Sequence, residues 1–426
     1  MSTILFTYEF GSGLGHVNRL VAVARRLEAE GDHRLVFALP DMRLGAGPVA
    51  KVFADRAETR QGIAWPGPGD IDAARRVATH TFADVLRLFG YTDPVRLLAA
   101  AREWRTLVEE VRPDLIVADF APTLRLALGN AVPTVVVGNG YTVPPAGRPL
   151  PPLRPWEDVV PPTSRAAEGD LLAAVNRVRS GLSGPGIDHV ADLFQGTKGV
   201  DPRRLEPEPT FVCTFSEFDP YGRHRAGPVT SPFNIPAISA GPAATVRKGP
   251  AVFVYLTADH PALGSVLSVL NGLDLPVRLY VSGIGPGALA SRCQPHVGIL
   301  TKPADFARLL PRTRLLIHHA GLGTAYAGLA AGTPQLVLPL NLEHLITARG
   351  LAQAGTATVI AGGAADEAGI GNAIAAMLSD HALSAKALEQ AVRVARMRDA
   401  DPLAGVVAAC LSCLPKVVGR NASVTN

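Results

Sequence analysis

A glycine-containing turn, HHAGLGT at residues 318–324, holds the residues whose types and spacing most clearly suit ligand chemistry. Gly321 and Gly323 let the backbone come close to a ligand, and the helix predicted after them presents amides without helical acceptors at its positive end. The two histidines and Thr324 add side-chain donors at the same place. Together these features predict a phosphate-binding turn.

Two further polar residues, Glu343 and His344, follow the next predicted strand at residues 336–338. Ligands of parallel α/β sheets bind outside the carboxyl ends of the strands, so we expect both side chains close to the glycine-containing turn. A carboxylate and an imidazole can each hydrogen-bond hydroxyl groups. The sequence therefore predicts a site for a ligand with an anionic tail and a polyol.

A second glycine-rich turn, GSGLGH at residues 11–16, follows the first apolar run of the chain. A dinucleotide-binding fingerprint requires G-x-G-x-x-G and an acid at the end of the second strand. This turn reads G-x-G-x-G-H, and Asp41 lies beyond Pro40, so NAD binding is not favoured. His16 either packs at the start of the next helix or acts on a ligand, and the turn alone does not decide between the two.

The helix predicted after this turn has an apolar and a polar face. We expect the first to be buried and to contain Val17, Leu20, Val21, Ala24 and Leu27, and the second to be exposed and to contain Arg19, Arg25, Arg26 and Glu28. A later apolar run, residues 115–118, predicts a buried strand that leads into Asp119. An acid at such a place either caps the next helix or is functional.

The turn HHAGLGT, the GTP that follows it, and PLNLEH with its helix LITARGLAQAG resemble the nucleotide-sugar signature of GT-B glycosyltransferases. The likeness is greatest to the bacterial family 1 enzymes and their MurG-like relatives. In that family the histidine before Ala-Gly and the threonine that ends the turn contact the donor diphosphate. The resemblance implies these roles for His319 and Thr324, with Gly321 and Gly323 in the same donor-binding turn.

The resemblance also implies which residues bind the donor sugar. The family uses an Asp/Glu-Gln pair for the sugar hydroxyls, and its acidic member corresponds to Glu343. Here the glutamine is replaced by His344, and the first glycine of the usual His-Gly-Gly turn is replaced by Ala320. These departures concern the identity of the sugar more than the diphosphate site.

The first half of the chain acquires a catalytic interpretation from the same resemblance. In the family, a turn ending in Gly-His after the first strand supplies the catalytic base, which implies this role for His16. The base is commonly oriented by an acid after the strand that here ends at Asp119. Gly11, Ser12 and Gly13 would contact either the diphosphate or the acceptor, and Gly13 is assigned to the donor.

A proline-rich segment from Pro144 to Pro162 contains eight prolines, so it cannot form a helix or a central strand. It is either a surface connection or a wall of the acceptor pocket, and its position after a predicted strand favours the wall. Tyr141 and Trp156 are the candidate acceptor contacts.

The fold class implied is α/β, with two Rossmann-like domains facing each other across a cleft. The alternation of apolar runs and helical patterns in both halves agrees with that architecture. We expect an acceptor-binding domain at residues 1–225, a donor-binding domain at 226–400, and a helix at 401–415 that packs back on the N-terminal domain.

Composition narrows the function classes. With 426 residues, 47% hydrophobic and 18% charged, the chain can form two packed domains, and its net charge of +4 is not concentrated in a basic stretch that would indicate nucleic-acid binding. No run is long enough to span a membrane, and ILFTYEF is too short and too polar for a signal peptide, so we expect a cytoplasmic protein. Asp70-Ile71-Asp72 resembles a metal-binding D-x-D, but it lies in a Gly/Pro-rich turn, so no metal is assigned.

These observations predict a metal-independent, inverting glycosyltransferase that moves a sugar from a UDP- or dTDP-sugar to a hydroxyl of a small or lipid-like acceptor. The nucleotide sugar is a co-substrate, and no cofactor is expected. Two alternatives remain open on the sequence: a UDP-GlcNAc 2-epimerase-like enzyme and a non-catalytic nucleotide-sugar-binding protein.

Overall fold

The computed structural model describes residues 1–11, 14–63, 65, 78–195, 208–243 and 246–415. The chain divides into two compact units. The first unit comprises Met1–Cys213, Arg223–Val229 and Leu403–Asn426, and the second comprises Thr214–Gly222 and Thr230–Pro402. Gly13, Ser12, Asp70, Asp72 and the tail from residue 416 lie outside the described residues.

Within the described residues, six parallel strands form the sheet of the first unit, in the order β3-β2-β1-β4-β5-β6. The strands are β1 Ser2–Tyr8, β2 His33–Leu39, β3 Ala57–Gln61, β4 Leu115–Asp119, β5 Thr134–Gly138 and β6 Thr210–Val212. Runs such as Ile4-Leu5-Phe6 are fully buried, as expected for parallel strands covered on both faces.

The helices of the first unit follow the strands in the expected alternation. The first of them, α1, packs against α2 and the last helix, α15, whereas α4 packs against α5 and α6. Their bounds are α1 Leu14–Glu30, α2 Met42–Phe53, α3 Phe82–Leu88, α4 Pro94–Val111, α5 Pro122–Leu128, α6 Pro162–Gly181, α7 Asp192–Gln195 and α15 Ala404–Cys413.

The second unit repeats the same strand order. Its described residues form a six-stranded parallel sheet ordered β12-β11-β10-β7-β8-β9. The strands are β7 Val252–Thr257, β8 Val277–Ser282, β9 Val297–Ile299, β10 Leu315–His318, β11 Gln335–Val337 and β12 Ala357–Val359. Leu315 and Ile317 belong to one hydrophobic cluster and Leu316 to another, so both faces of the central strand are buried.

The helices of the second unit cover those two clusters. They are α8 Leu263–Asn271, α9 Pro286–Ala290, α10 Phe306–Leu309, α11 Leu322–Ala331, α12 Leu342–Gln353, α13 Glu367–Ser379 and α14 His381–Asp399. The helix predicted after the glycine-containing turn ends where expected, because Gly332 takes a left-handed conformation with φ of 63° at its C-terminus.

The edge strand β3, Ala57–Gln61, differs in sequence from the other strands of the first unit. Its sequence, AETRQ, lacks the apolar run that marks the other strands, because an edge strand is buried on fewer sides. Later in this unit, α6 ends at Gly181 and the short α7 follows.

No helix in the described part of the chain is both long enough and apolar enough to cross a membrane.

A buried arginine, Arg247, precedes the first strand of the second unit and donates hydrogen bonds to several segments of that unit. The guanidinium of Arg247 donates to the carbonyls of Pro242, Leu310 and Thr313 at 2.8, 3.1 and 2.8 Å. It also donates to the carbonyls of Ala331 and Gly332 and to the hydroxyl of Thr333 at 2.8, 2.8 and 2.7 Å. Burial lowers the pKa of Arg247 to about 10, which leaves it charged at neutral pH. One cation therefore satisfies acceptors from the end of α11 and two neighbouring segments.

We expect Arg247→Met to lower the free energy of unfolding of the second unit by about 3 kcal/mol or more, because hydrogen bonds to charged groups contribute about 1.5–3 kcal/mol each and their acceptors would stay buried. All three tryptophans, Trp65, Trp104 and Trp156, belong to the first unit. Hydrogen exchange of the β10 amides is therefore the suitable measurement. Arg308→Met is the control, since that side chain is 90% exposed. Equal protection in the two variants would contradict the assignment.

Candidate functional site

The first constellation forms at the carboxyl ends of β1 and β4, the point where the strand order of the first unit changes direction. Parallel pairing places Tyr8 beside Asp119 at the last position of each strand. His16, in the first turn of α1, points Nδ1 at Oδ2 of Asp119 across 3.0 Å. A contact between these two side chains was expected from the family resemblance, and it is present in the structure.

Asp119 does not cap a helix. The helix that follows β4 begins at Pro122, and its N-cap position is Ala121. The acid that accepts the amides of that helix is Glu9, which takes the N–H of Thr123 at 3.0 Å and that of Leu124 at 2.6 Å. Burial raises the pKa of Glu9 to about 7 in spite of these hydrogen bonds. Asp119 is therefore available for His16.

Arg19 was expected on the exposed face of α1, and this prediction is wrong. Its side chain is 4% exposed, and Nη1 donates to Oδ2 of Asp119, the same oxygen that His16 contacts. His16 and Arg19 lie three residues apart and so share one side of the helix. The three-residue spacing of His16 and Arg19 is visible in the sequence. It was overlooked because the argument from helical periodicity placed every arginine of α1 on the exposed face.

The charges around Asp119 decide its ionisation. Burial alone would raise the pKa of this fully buried carboxyl. The Arg19 guanidinium and the His16 imidazole beside it outweigh burial and hold the pKa below its usual value. Asp119 is therefore a carboxylate at neutral pH, and it can accept the Nδ1–H of His16. The unprotonated nitrogen of the ring is then Nε2.

The rest of the surroundings fix the imidazole in place. The Tyr8 ring stacks on it with centroids 5.1 Å apart and planes inclined by 9°. Burial, with the carboxylates of Asp41 and Asp119 nearby, raises the pKa of Tyr8 to about 12, so it stays a neutral phenol. Gly11, with φ of 118°, lies beside the same ring, and a Cβ built on it would overlap Nε2. A glycine at this position therefore avoids a clash with that nitrogen.

Both candidate acceptor contacts lie in the first unit, Trp156 within the proline-rich segment and Tyr141 just before it. Tyr141 follows β5 and is half-buried, and its ring makes an edge contact with Phe82, 6.5 Å between centroids. Phe82 in turn contacts Phe120, the residue after Asp119. Trp156 is half-buried in the proline-rich segment. Phe82 and Phe120 thus connect the Tyr141 ring to the residue next to Asp119.

The second constellation forms at the equivalent switch point of the second unit, between β7 and β10. His318 is the last residue of β10 and is fully buried, so it is not the ligand donor that the sequence suggested. Its Nδ1 accepts the N–H of Ala320 at 3.2 Å. Ala320 is in a left-handed conformation, with φ of 73°. His318 therefore shapes the turn that displays its neighbour, His319.

His319 and His344 come from different helix N-termini and meet. Their ring centroids are 4.9 Å apart. Gly321 is the N-cap of α11, and a Cβ built on it would lie 3.4 Å from Nε2 of His319, so this nitrogen sits over the start of the helix. His344 is in the first turn of α12, which Asn341 caps by accepting its amide at 2.9 Å. Two positive helix ends and two imidazoles thus share one place, which suits an anion.

Both imidazoles are neutral at physiological pH. Burial, with His260 nearby, lowers the pKa of His319 to about 4. Burial, with His319 and His260 nearby, lowers the pKa of His344 to about 3. The site therefore offers dipoles and N–H donors to an anion instead of fixed positive charges.

The remaining predicted donor residues lie in the first turns of α11 and α12. Gly323 has open space where a Cβ would be, Thr324 is buried in the first turn of α11, and Glu343 is half-buried in the first turn of α12. Gly13 falls outside the described residues. The structure thus brings His319 and His344 together and places Gly321 beside them. Among the described residues, no group of three His, Cys, Asp or Glu side chains is arranged to hold a metal ion.

The sequence of this chain is similar to those of known proteins. Residues 301–413 match the family described as erythromycin biosynthesis protein CIII-like, C-terminal domain. The chain is 28% identical to the elloramycin glycosyltransferase ElmGT of Streptomyces olivaceus, over 80% of this chain and 82% of that protein. It is 25% identical to the demethyllactenocin mycarosyltransferase of Streptomyces fradiae, over 80% of this chain and 72% of that protein.

The fold is that of a solved glycosyltransferase. The spinosyn rhamnosyltransferase SpnG superposes with a TM-score of 0.64 over 96% of this chain and 99% of that chain, at 18% identity. The chain is a glycosyltransferase of the GT-B fold. The family resemblance, the two Rossmann-like sheets and the class of enzyme predicted from the sequence are confirmed. The alternatives of an epimerase and a non-catalytic binding protein are not supported by these relatives.

The pH dependence of the enzyme's stability tests the position of His318. Burial, with His319 nearby, lowers the pKa of His318 from 6.5 to about 3. Between these values the unfolded chain binds a proton that the folded chain does not, so stability is complete above pH 6.5 and is lost as the pH falls. By linkage, the loss from this residue between pH 6.5 and pH 5 is about 2 kcal/mol.

We therefore expect His318→Asn, which cannot titrate, to lose about 2 kcal/mol less of second-unit stability than the wild type between pH 7 and pH 5. Hydrogen exchange of β10 amides at the two pH values measures the difference. His381→Asn, at an exposed histidine, should keep the wild-type dependence. A wild-type slope in His318→Asn would mean that His318 is not buried as a neutral base.

Proposed function

We propose that the enzyme transfers a sugar, with inversion, from a UDP- or dTDP-sugar to a hydroxyl of a small-molecule or lipid-like acceptor in the cytoplasm. The observation that carries the proposal is the Nδ1 contact of His16 with the buried carboxylate of Asp119, which leaves Nε2 as an accessible base. The relatives support the substrate classes, because SpnG has been solved complexed with thymidine diphosphate and with the spinosyn aglycone.

The proposed reaction is a single displacement. The acceptor oxygen bonds to the anomeric carbon while the bond from that carbon to the diphosphate oxygen breaks. The hydroxyl proton moves to Nε2 of His16, and Asp119 stabilises the imidazolium that forms. Attack from the side opposite the leaving group inverts the anomeric configuration. The products are a glycoside and a nucleoside diphosphate.

The departing diphosphate would be stabilised by the glycine-containing turn. We assign the diphosphate to His319, Thr324 and the amides at the start of α11, and the sugar hydroxyls to Glu343 and His344. Preorganised donors in a partly buried site stabilise developing negative charge without further rearrangement. A helix terminus and neutral imidazoles can thus do what a bound cation does in other enzymes, so we propose metal independence.

The proposed division of labour follows the chain. Residues 1–225 would bind the acceptor, with Tyr141 and Trp156 as contacts, and residues 226–400 would bind the donor, with Gly13 reaching it from the first turn. The helix near residues 401–415 would complete the acceptor domain. In the structure, α15 contacts α1, the helix that carries His16.

Turnover tests the base. The purified enzyme would be incubated with dTDP-glucose or UDP-glucose and a panel of phenols and alcohols, with products identified by mass spectrometry and their anomeric configuration by NMR. We expect a β-glycoside from the α-linked donor, and unchanged turnover after EDTA. His16→Ala should lower turnover about 10²–10⁴-fold, the usual contribution of a general base, with donor affinity little changed. Asp119→Asn should lower it by no more than that.

The control is His189→Ala, at an exposed histidine of the first unit. Turnover of an alcohol that survives His16→Ala within a few-fold would leave His16 only a packing role. An α-glycoside would exclude a single inverting displacement. Loss of activity with EDTA, restored by Mn²⁺, would return attention to Asp70 and Asp72.

Nucleotide binding tests the second constellation separately. Hydrogen bonds to charged groups contribute about 1.5–3 kcal/mol, so His319→Ala should weaken binding of dTDP and UDP by about 10- to 150-fold. Isothermal titration calorimetry measures this without an acceptor. His381→Ala is the matched control. An affinity within twofold of the wild type would remove His319 from the diphosphate site.

A further inference from the structure

Arg19 is a charged group of the first constellation to which the proposed reaction assigns no part. It is a buried arginine whose Nη1 donates to the oxygen of Asp119 that also receives His16. Of the other arginines of α1, Arg25 is exposed and Arg26 is half-buried, so the buried guanidinium of Arg19 is an exception among them. A buried cation is costly unless it has a charged partner.

The charge balance around Asp119 explains the placement. A buried carboxylate is stable only when it is protonated or paired with a cation, because an isolated charge away from water is unfavourable. With His16 as its only partner, Asp119 would favour the imidazolium, because an opposite charge in contact stabilises the charged form of a histidine. An imidazolium cannot accept a proton from a substrate. Arg19 supplies the opposing charge permanently, since a guanidinium does not deprotonate in this pH range.

The other groups around the imidazole do not supply that charge. Tyr8 from β1 is a neutral phenol, and Asp41 acts on Tyr8 from beyond β2. Burial raises the pKa of the Cys213 thiol to about 12, so this neighbour after β6 is also neutral. The packing helix α15 reads AGVVAACLSC and contains no charged residue. Within the part of the chain that the structure describes, Asp119 and Arg19 are thus the charged pair beside His16.

We infer that Arg19 is a positioning residue that serves as the permanent counter-ion of Asp119, so that His16 is held by a carboxylate whose charge is already balanced and can act as a base. The inference rests on the proposed function for its catalytic meaning, but the charge relation can be measured without turnover. It also explains why His16 and Arg19 contact one oxygen of Asp119: the carboxylate orients the imidazole through a charge that Arg19 has already balanced.

The test is the titration of His16 followed by NMR in protein labelled with ¹³C-histidine. The His16 signal is assigned by its absence from His16→Ala. Removing a positive charge in contact with the same carboxylate should stabilise the imidazolium, so Arg19→Gln should move the titration midpoint of His16 up by about one pH unit or more. Arg19→Lys keeps a cation there and should restore most of the wild-type midpoint. Arg25→Gln, on the exposed side of α1, should not change it.

A midpoint in Arg19→Gln within 0.2 units of the wild type, roughly the scatter of the control, would overturn the inference and leave Arg19 a structural role. If Arg19→Gln does not fold, as its circular dichroism would show, the comparison passes to Arg19→Lys. Its retained cation predicts a small shift, and a midpoint moved by a full unit would overturn the inference. Failure of the proposed function shows differently, as turnover that survives His16→Ala, whatever the position of the midpoint.

Discussion

The register of β1 against β4 is the constraint on which the first constellation depends. Parallel pairing sets Tyr8 beside Asp119 at the carboxyl edge of the sheet, and His16 in the first turn of α1 contacts both of them. A shift of one residue in this pairing would turn Asp119 to the other face, because side chains alternate along a strand. The stacking of Tyr8 on His16 and the contact of His16 with Asp119 both follow from that single alignment.

The site of the second unit lies on a sheet with the same type of strand order, but its side chains carry different charges from those of the first unit. There too the site lies where the strand order reverses, and β10 pairs with β7 so that His318 lies beside Tyr255. The first unit keeps a buried anion balanced by a cation. The second keeps neutral imidazoles at two helix N-termini. A site that must bind and release a highly charged anion gains from dipoles, because fixed buried cations would need partners whenever the site is empty.

The sequence predicted the buried strands and the glycine-containing turn, but it did not predict the edge strand or the buried polar side chains. The buried strands of both units and the turn at residues 318–324 were predictable, because apolar runs and glycine spacing reflect local physics. The edge strand Ala57–Gln61 was missed since its residues are not apolar. Arg19 and His318 were assigned to the wrong environments because composition treats charged and polar side chains as exposed. Arg19 pairs with Asp119, 100 residues along the chain, and His318 ends a strand that lies between β7 and β11, so the surroundings of both side chains come from segments that no local pattern contains.

The departures from the family's turn show how tertiary contacts absorb such substitutions. Ala320 stands where relatives carry glycine, and its left-handed φ of 73° costs an alanine on the order of 1 kcal/mol. The methyl group is fully buried in a hydrophobic cluster that also contains Tyr326, which returns a comparable amount by burial of apolar surface. The hydrogen bond from the Ala320 amide to Nδ1 of His318 then holds the strained conformation. The turn can therefore keep its shape without the glycine, provided that the residue before His319 remains a buried acceptor.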